Sequence, residues 1–139
     1  MPTSIENRLS LAVESAAELM SAPVQSISHR ATFHEVVEFF IDHNVTVTLV
    51  LGDRGEPVGV LSMADVLIHV RESTPANPVA PASAGSLMTP TVFSVTPKTP
   101  AVDVIRDMLR SKVHHLFVID TDGKITGVIS ASDVLRHLE

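Results

Sequence analysis

Apolar residues recur at mixed three- and four-residue spacing through Ile5, Leu9, Leu11, Val13, Ala16 and Leu19, which predicts an amphipathic lead-in helix over 5–19. The pattern then shortens. A β-branched stretch from Val24 to Ile27 predicts a strand, and Thr32-Phe33-His34-Glu35 has the spacing of a helix capping box, so a helix follows and ends near Asn44. The runs Val45 to Leu51 and Val58 to Leu61 predict two further strands. Between them, Asp53-Arg54-Gly55-Glu56 carries the residues of a hairpin turn. A final helix begins at Ser62.

The same order returns in the second half of the chain. Strands are predicted at Val92 to Val95, Leu116 to Ile119 and Ile125 to Ile129, with a turn at Asp120-Thr121-Asp122-Gly123. A helix is predicted with Pro100 at its first helical position and its end near Lys112, and another from Ser130. Gly59-Val60-Leu61-Ser62-Met63-Ala64-Asp65 reappears as Gly127-Val128-Ile129-Ser130-Ala131-Ser132-Asp133, a shift of 68 residues. That shift also carries Met20 onto Met88, Val24 onto Val92, Val45 onto Val113, Val50 onto Val118 and Gly55 onto Gly123, without a gap. Two copies are too few for a solenoid, so they are expected to form a pseudo-twofold pair sharing one core. The fold class is therefore α/β (α+β): two β-α-β-β-α repeats with an N-terminal lead-in helix. Residues 73–86 hold three prolines and little bulk, which predicts an extended connector and the most mobile segment of the chain. The expected division is a helix or cap over 1–16, a first repeat over 17–72, a Pro/Ala-rich connector over 73–84 and a second repeat over 85–139.

Composition narrows the function. At 139 residues and 45% hydrophobic, the chain suits one domain or two small halves that bury against each other. No apolar run approaches the roughly 18–20 residues that span a bilayer, and the N-terminus lacks the basic-then-apolar pattern of a secretory signal, so a cytoplasmic protein without membrane association is expected. The absence of cysteine excludes disulfides, iron–sulfur clusters, cysteine–zinc sites and thiol catalysis. A net charge of −6 argues against nucleic acid, whose affinity comes from neutralised phosphates, and five Phe with no Trp or Tyr leave no stacking platform. Seven histidines raise the question of a metal. His114 and His115 are strand neighbours pointing to opposite faces, and the others are scattered, so no metal site is expected. There is no Ser-His-Asp order, P-loop or acid/base couple, so the chain is not expected to be an enzyme.

The chemistry is concentrated in the repeated cassette. Its Ser and, three residues on, its Asp fall in the first turn of a helix, where unpaired N–H groups attract phosphate. The carboxylate there suits the two hydroxyl donors of a ribose, so the pair fits a nucleotide better than bare phosphate. The plainer alternative is a capping box, in which Ser and Asp satisfy backbone N–H groups and nothing else.

Strand, glycine, hydroxyl, acid and helix, twice, with Val113-His114-His115-Leu116-Phe117-Val118-Ile119-Asp120 before the second copy, resemble the CBS domain family, named after cystathionine β-synthase, from about Ala17 to Leu138. The resemblance implies repeats packed through their sheets, leaving two clefts for an adenosine-containing ligand such as AMP, ADP, ATP, S-adenosylmethionine or a dinucleotide. It assigns Ser130, Ser132 and Asp133 to one cleft, completed by Ser21, Val24 and Gln25, and Ser62 and Asp65 to the other, completed by Thr89, Val92 and Phe93. Family members often carry a basic pair before the second strand of a repeat. Here the second copy has His114-His115 and the first has Thr46-Val47, so the Asp133 cleft is ranked first for a phosphorylated ligand, with Val47 lining the other. Phe117 and Leu49 replace a proline that often follows the pair. Imidazoles in place of arginine imply tighter phosphate binding as pH falls toward about 6. The resemblance also implies a homodimeric regulatory module that needs no cofactor, takes the nucleotide as its regulatory ligand and acts on an unidentified protein target. The alternative is a structural dimerisation module with vestigial clefts.

Overall fold

The structure, a computed structural model, describes residues 13–73 and 82–138. In chain order its elements are α1 (Ala16–Leu19), β1 (Ser26–Ser28), α2 (Phe33–His43), β2 (Val47–Leu51), β3 (Pro57–Ser62), α3 (Met63–Glu72), α4 (Ala84–Leu87), β4 (Ser94–Val95), α5 (Ala101–Ser111), β5 (His115–Ile119), β6 (Ile125–Ser130) and α6 (Ala131–Arg136). Strand, helix, strand, strand, helix thus occurs in both halves, as the repeat requires. They form two compact units: Gln25–Val92, and Phe93–Glu139 together with the segment ending at Val24. The units are offset from the sequence repeats, because the lead-in to each first strand belongs with the other repeat's hairpin.

In the unit Gln25–Val92, β1 runs parallel to β2 and β2 antiparallel to β3, giving the order β1-β2-β3. Helix α2 starts at the expected box: the Glu35 N–H donates to Thr32 Oγ1 at 3.1 Å and the Thr32 N–H to Glu35 Oε1 at 2.9 Å. It stops at Asn44, whose φ of 50° is the left-handed conformation that closes a helix. Gly55 takes φ 79° in the β2–β3 turn, where a side chain would be strained. Val36, Phe40, Val50, Leu61 and Ala84 form the core, bringing one residue each from α2, β2, β3 and α4 around a second α2 side chain.

In the other unit, β4 runs parallel to β5 and β5 antiparallel to β6, again with the outer strand first. Its core includes Leu19, Val104, Leu116, Val118 and Ile129, each at most 1% exposed, so α1 is sealed onto α5 and the sheet. Shortening any of these side chains to Ala leaves a cavity, costing about 2–5 kcal/mol. Lys112 closes α5 with φ 56°, as Asn44 closes α2. Gly123 at φ 82° matches Gly55.

Four expectations are corrected. Residues 1–12 of the lead-in helix lie outside the described residues; of the rest, only Ala16–Leu19 is helical. Val13–Ser15 are not helical: the Glu14 carbonyl accepts from the Ala101 N–H at 2.8 Å, and Ser15 is extended and bridges to Pro100. Pro100 caps α5 instead of starting it, because its ψ of 141° is extended. The connector, whose residues 74–81 are not described, does not run extended to Ser86: Ala84–Leu87 is a helical turn, capped by the Ser83 hydroxyl accepting from the Ser86 N–H. It is the repeat partner of α1, 68 residues on. The first strands are also shorter than their β-branched stretches, beginning at Ser26 and Ser94.

Candidate functional site

Both Ser-x-x-Asp elements fold as complete capping boxes, the plainer of the two alternatives the sequence presents. At the second, the Asp133 N–H donates to Ser130 Oγ at 3.1 Å and the Ser130 N–H returns a bond to Asp133 Oδ2 at 2.8 Å. The other carboxylate oxygen, Oδ1, accepts from the Arg136 guanidinium at 2.8 Å and from the Ser21 hydroxyl at 3.4 Å. Only 10% of the Asp133 side chain is exposed, against 69% for Arg136, so a nearly buried carboxylate is held by a cation standing in solvent.

Two ladders bring these groups together. Ser21 exchanges backbone hydrogen bonds with Val128 at 2.9 and 3.0 Å, which carries the start of the first repeat to the strand leading into Asp133. His115 faces Ser130 across the β5–β6 pair, and the Ala131 N–H donates to the His114 carbonyl at 2.9 Å. Burial pushes the His115 pKa down, the like charge of His114 adds to this, and the Asp133 carboxylate opposes it. His115 is half-buried at the start of β5, whereas His114 is exposed in the bend before it, so the two are not the strand neighbours expected.

The first element is built alike but equipped differently. The Ser62 N–H and hydroxyl both donate to Asp65 Oδ2, at 2.8 and 3.0 Å, and the Asp65 N–H to Ser62 Oγ at 3.2 Å. Among the described residues, Asp65 Oδ1 has no partner and no cation lies on the carboxylate. Val47 faces Ser62 across β2–β3, and Thr89 exchanges backbone bonds with Val60 at 2.9 Å each, repeating the Ser21–Val128 pairing.

Of the remaining candidates, Val24 shares the unit of Asp133 and Val92 that of Asp65, both half-buried. Ser132 is exposed on α6. Gln25 belongs to the Asp65 unit, its carbonyl accepting from Leu49 N–H and Thr48 Oγ1; Phe93 belongs to the Asp133 unit, its carbonyl accepting from Phe117 N–H. Sequence reasoning missed Arg136, although three residues along a helix is the spacing at which side chains meet, so the signal was present. It also missed the tight seat of each methionine: Met20 packs on Gly127 and Met88 on Gly59. Separately, a hollow of about 500 Å³ lies between α5 and α6, lined by Ile105, Met108, Leu109, Val134 and Leu135, with Lys112 and His114. Among the described residues no group of three or more His, Asp or Glu could hold a metal, and no helix is long and apolar enough to cross a membrane.

The CBS domain family matches this sequence over residues 16–72 and 84–139. The 5'-AMP-activated protein kinase subunit gamma-3 of Bos taurus is 30% identical over 107 residues, 73% of this chain but 21% of that protein. An uncharacterized 17.7 kDa protein of Acidianus ambivalens is 25% identical over 122 residues, 88% of this chain and 71% of its own. Among solved structures, CBSX2 in complex with AMP superposes with a TM-score of 0.74 at 25% identity, covering 89% of this chain and 95% of that one.

Proposed function

Because the chain belongs to the CBS domain family, we propose that it is a regulatory module whose ligand is an adenosine-containing nucleotide and whose signal passes through a homodimer. The observation that carries this reading is the Asp133 carboxylate. It is nearly buried, yet it is surrounded by Ser21, Ser130 and His115 from three separate stretches of chain, more than a helix cap needs. A carboxylate offers about four acceptor positions. Three are filled at Asp133, two of them on Oδ1 by the long Ser21 contact and the exposed Arg136 guanidinium, so a ribose diol has one acceptor to take and must compete for Oδ1 to gain a second. CBSX2, of similar fold, is solved with AMP. No cofactor is required in this reading, and the module regulates another protein instead of catalysing a reaction.

Homodimerisation is supported by the repeat itself. Ile41 and Leu109 are related by the 68-residue shift and are 72% and 74% exposed; Leu67 and Leu135 are related in the same way and are 67% and 65% exposed. Large apolar side chains exposed at the same two positions of both copies suit an interface better than chance. The completeness of both capping boxes favours a second reading, a dimerisation module that binds no nucleotide.

Isothermal titration of the nucleotide-stripped chain with AMP, ADP, ATP and S-adenosylmethionine separates the two. The nucleotide reading expects saturable binding near micromolar affinity, about −8 kcal/mol, weakened at least about tenfold by Asp133→Ala. Unchanged affinity in Asp133→Ala removes this site from the reading. Silence across the panel from folded protein leaves the dimerisation module.

A further inference from the structure

We propose that Arg136 selects for a phosphate on the ligand of the Asp133 element, and that the Asp65 element, which lacks such a residue, takes an uncharged nucleoside. This rests on the nucleotide reading above and goes further by dividing ligand classes between the two elements.

The argument starts from the guanidinium. Arg136 Nη1 lies 2.8 Å from Asp133 Oδ1, on the oxygen that Ser21 contacts only weakly. A ribose diol donates hydrogen bonds, so it competes with Arg136 for that oxygen. An uncharged nucleoside displaces the cation and gives it nothing in return. A nucleoside phosphate gives it a dianion whose oxygens match the guanidinium fork, so the exchange replaces one charge-assisted pair with another and frees Oδ1 in the same step. The exchange is unhindered, because the Arg136 side chain is 69% exposed and free to turn. His114 and His115 stand beside the element and add donors when protonated.

The first copy inverts each of these features. The shift of 68 puts Ile68 where Arg136 stands, 44% exposed and without charge, and Thr46-Val47 where the histidines stand. Among the described residues, Asp65 carries no ion pair and its Oδ1 is vacant. A ribose diol therefore meets an acceptor that nothing occupies, and a phosphate brought there meets a carboxylate that no cation offsets. Among the described residues, one carboxylate is masked by a cation that prefers phosphate, and the other is open and uncompensated.

The test is calorimetric titration of the full chain with AMP and with adenosine, carrying Asp65→Ala so that the Asp133 element alone is read. The parent is expected to prefer AMP. Arg136→Ile, which installs the first copy's residue, is expected to weaken AMP by about tenfold or more and to leave adenosine unchanged or tighter. Arg136→Lys, with the charge but not the fork, falls between. Arg136→Gln, which keeps length without charge, repeats the loss and guards against a packing effect of isoleucine. An AMP-to-adenosine ratio in Arg136→Ile and Arg136→Gln equal to the parent's overturns the role of Arg136 and leaves the nucleotide reading standing. Failure of the chain with both aspartates intact to bind AMP or adenosine overturns both.

Discussion

The side chain of Met20 lies against Gly127 so closely that no β-carbon fits between them, and the repeat-related pair, Met88 and Gly59, is packed in the same way. The two glycines differ in what else is near. A β-carbon on Gly59 would also come within 2.6 Å of the Thr89 carbonyl oxygen, which accepts from the Val60 N–H and cannot retreat without breaking that bridge. On Gly127 the three nearest atoms it would meet all belong to the Met20 side chain. Gly59→Ala is therefore expected to cost about 2–3 kcal/mol and Gly127→Ala about 1–2 kcal/mol, measured by urea denaturation. Adding Met20→Ala should recover part of the Gly127→Ala loss, whereas Met88→Ala should recover little for Gly59→Ala. Equal recovery in both would show that the carbonyl is not the obstacle.

How far the sequence went is visible at these same residues. The shift of 68 residues located the three strands and two main helices of the second copy from the first, because capping, turn and core positions are local demands repeated in register, but not the helical turn Ala84–Leu87, which proline content hid inside the expected connector. Thr32 with Glu35, and Ser130 with Asp133, were legible as boxes for that reason. The partner of each lead-in was legible only through the family resemblance, which pairs Ser21 with Asp133 and Thr89 with Asp65, and not through the pattern itself, since what seats Met20 on Gly127 is a close approach between residues more than a hundred positions apart. Periodicity reports which face of an element is apolar and is silent on what covers it. The helix drawn through Val13–Ser15 failed likewise, because hydrogen bonds to Ala101 and a bridge to Pro100 override local spacing.

Lys112 ends α5 in the left-handed region, where a β-carbon crowds the backbone and glycine does not. Lys112→Gly is expected to raise stability by about 1 kcal/mol. Asn44→Gly, at the equivalent end of α2, should gain about half as much or less, because asparagine already tolerates this conformation. Thermal unfolding of the two variants checks both the sign and the order; a loss in Lys112→Gly would mean that its side chain does more than terminate the helix.

Burial beside His114 holds the His115 pKa below its ordinary value in the folded chain. The unfolded chain therefore binds more protons than the folded one between that lowered value and about 6.5, so stability rises with pH across this window and is lost on acidification through it. His115→Val, the residue of the first copy, should flatten the dependence of urea midpoints measured from about pH 5 to 7.5. If the element binds phosphate as proposed, the same depression sets the pH at which that binding tightens: His115 gains its proton only below the range of a free imidazole, and a bound phosphate must supply the difference. AMP binding that tightens below about pH 6 in the parent and not in His115→Val would tie the effect to this ring.

The exposed pairs Ile41/Leu109 and Leu67/Leu135 give the dimer a test that leaves each unit's core alone. All four side chains stand outside the buried clusters, so replacing one with glutamate removes apolar contact with a partner without opening a cavity. Leu109→Glu and Leu135→Glu also border the hollow between α5 and α6, where a charge loses its water if a second copy fills it. Sedimentation equilibrium of the parent is expected to give twice the chain mass, and either variant to shift it toward the single chain. Chemical denaturation of the variants, extrapolated to high dilution, should match the parent within about 0.5 kcal/mol, as for surface substitutions. A parent that sediments as a single chain at every concentration would remove the dimer from the proposed mechanism. Signalling would then have to pass through a change within one chain, with the apolar pairs left to face the regulated protein.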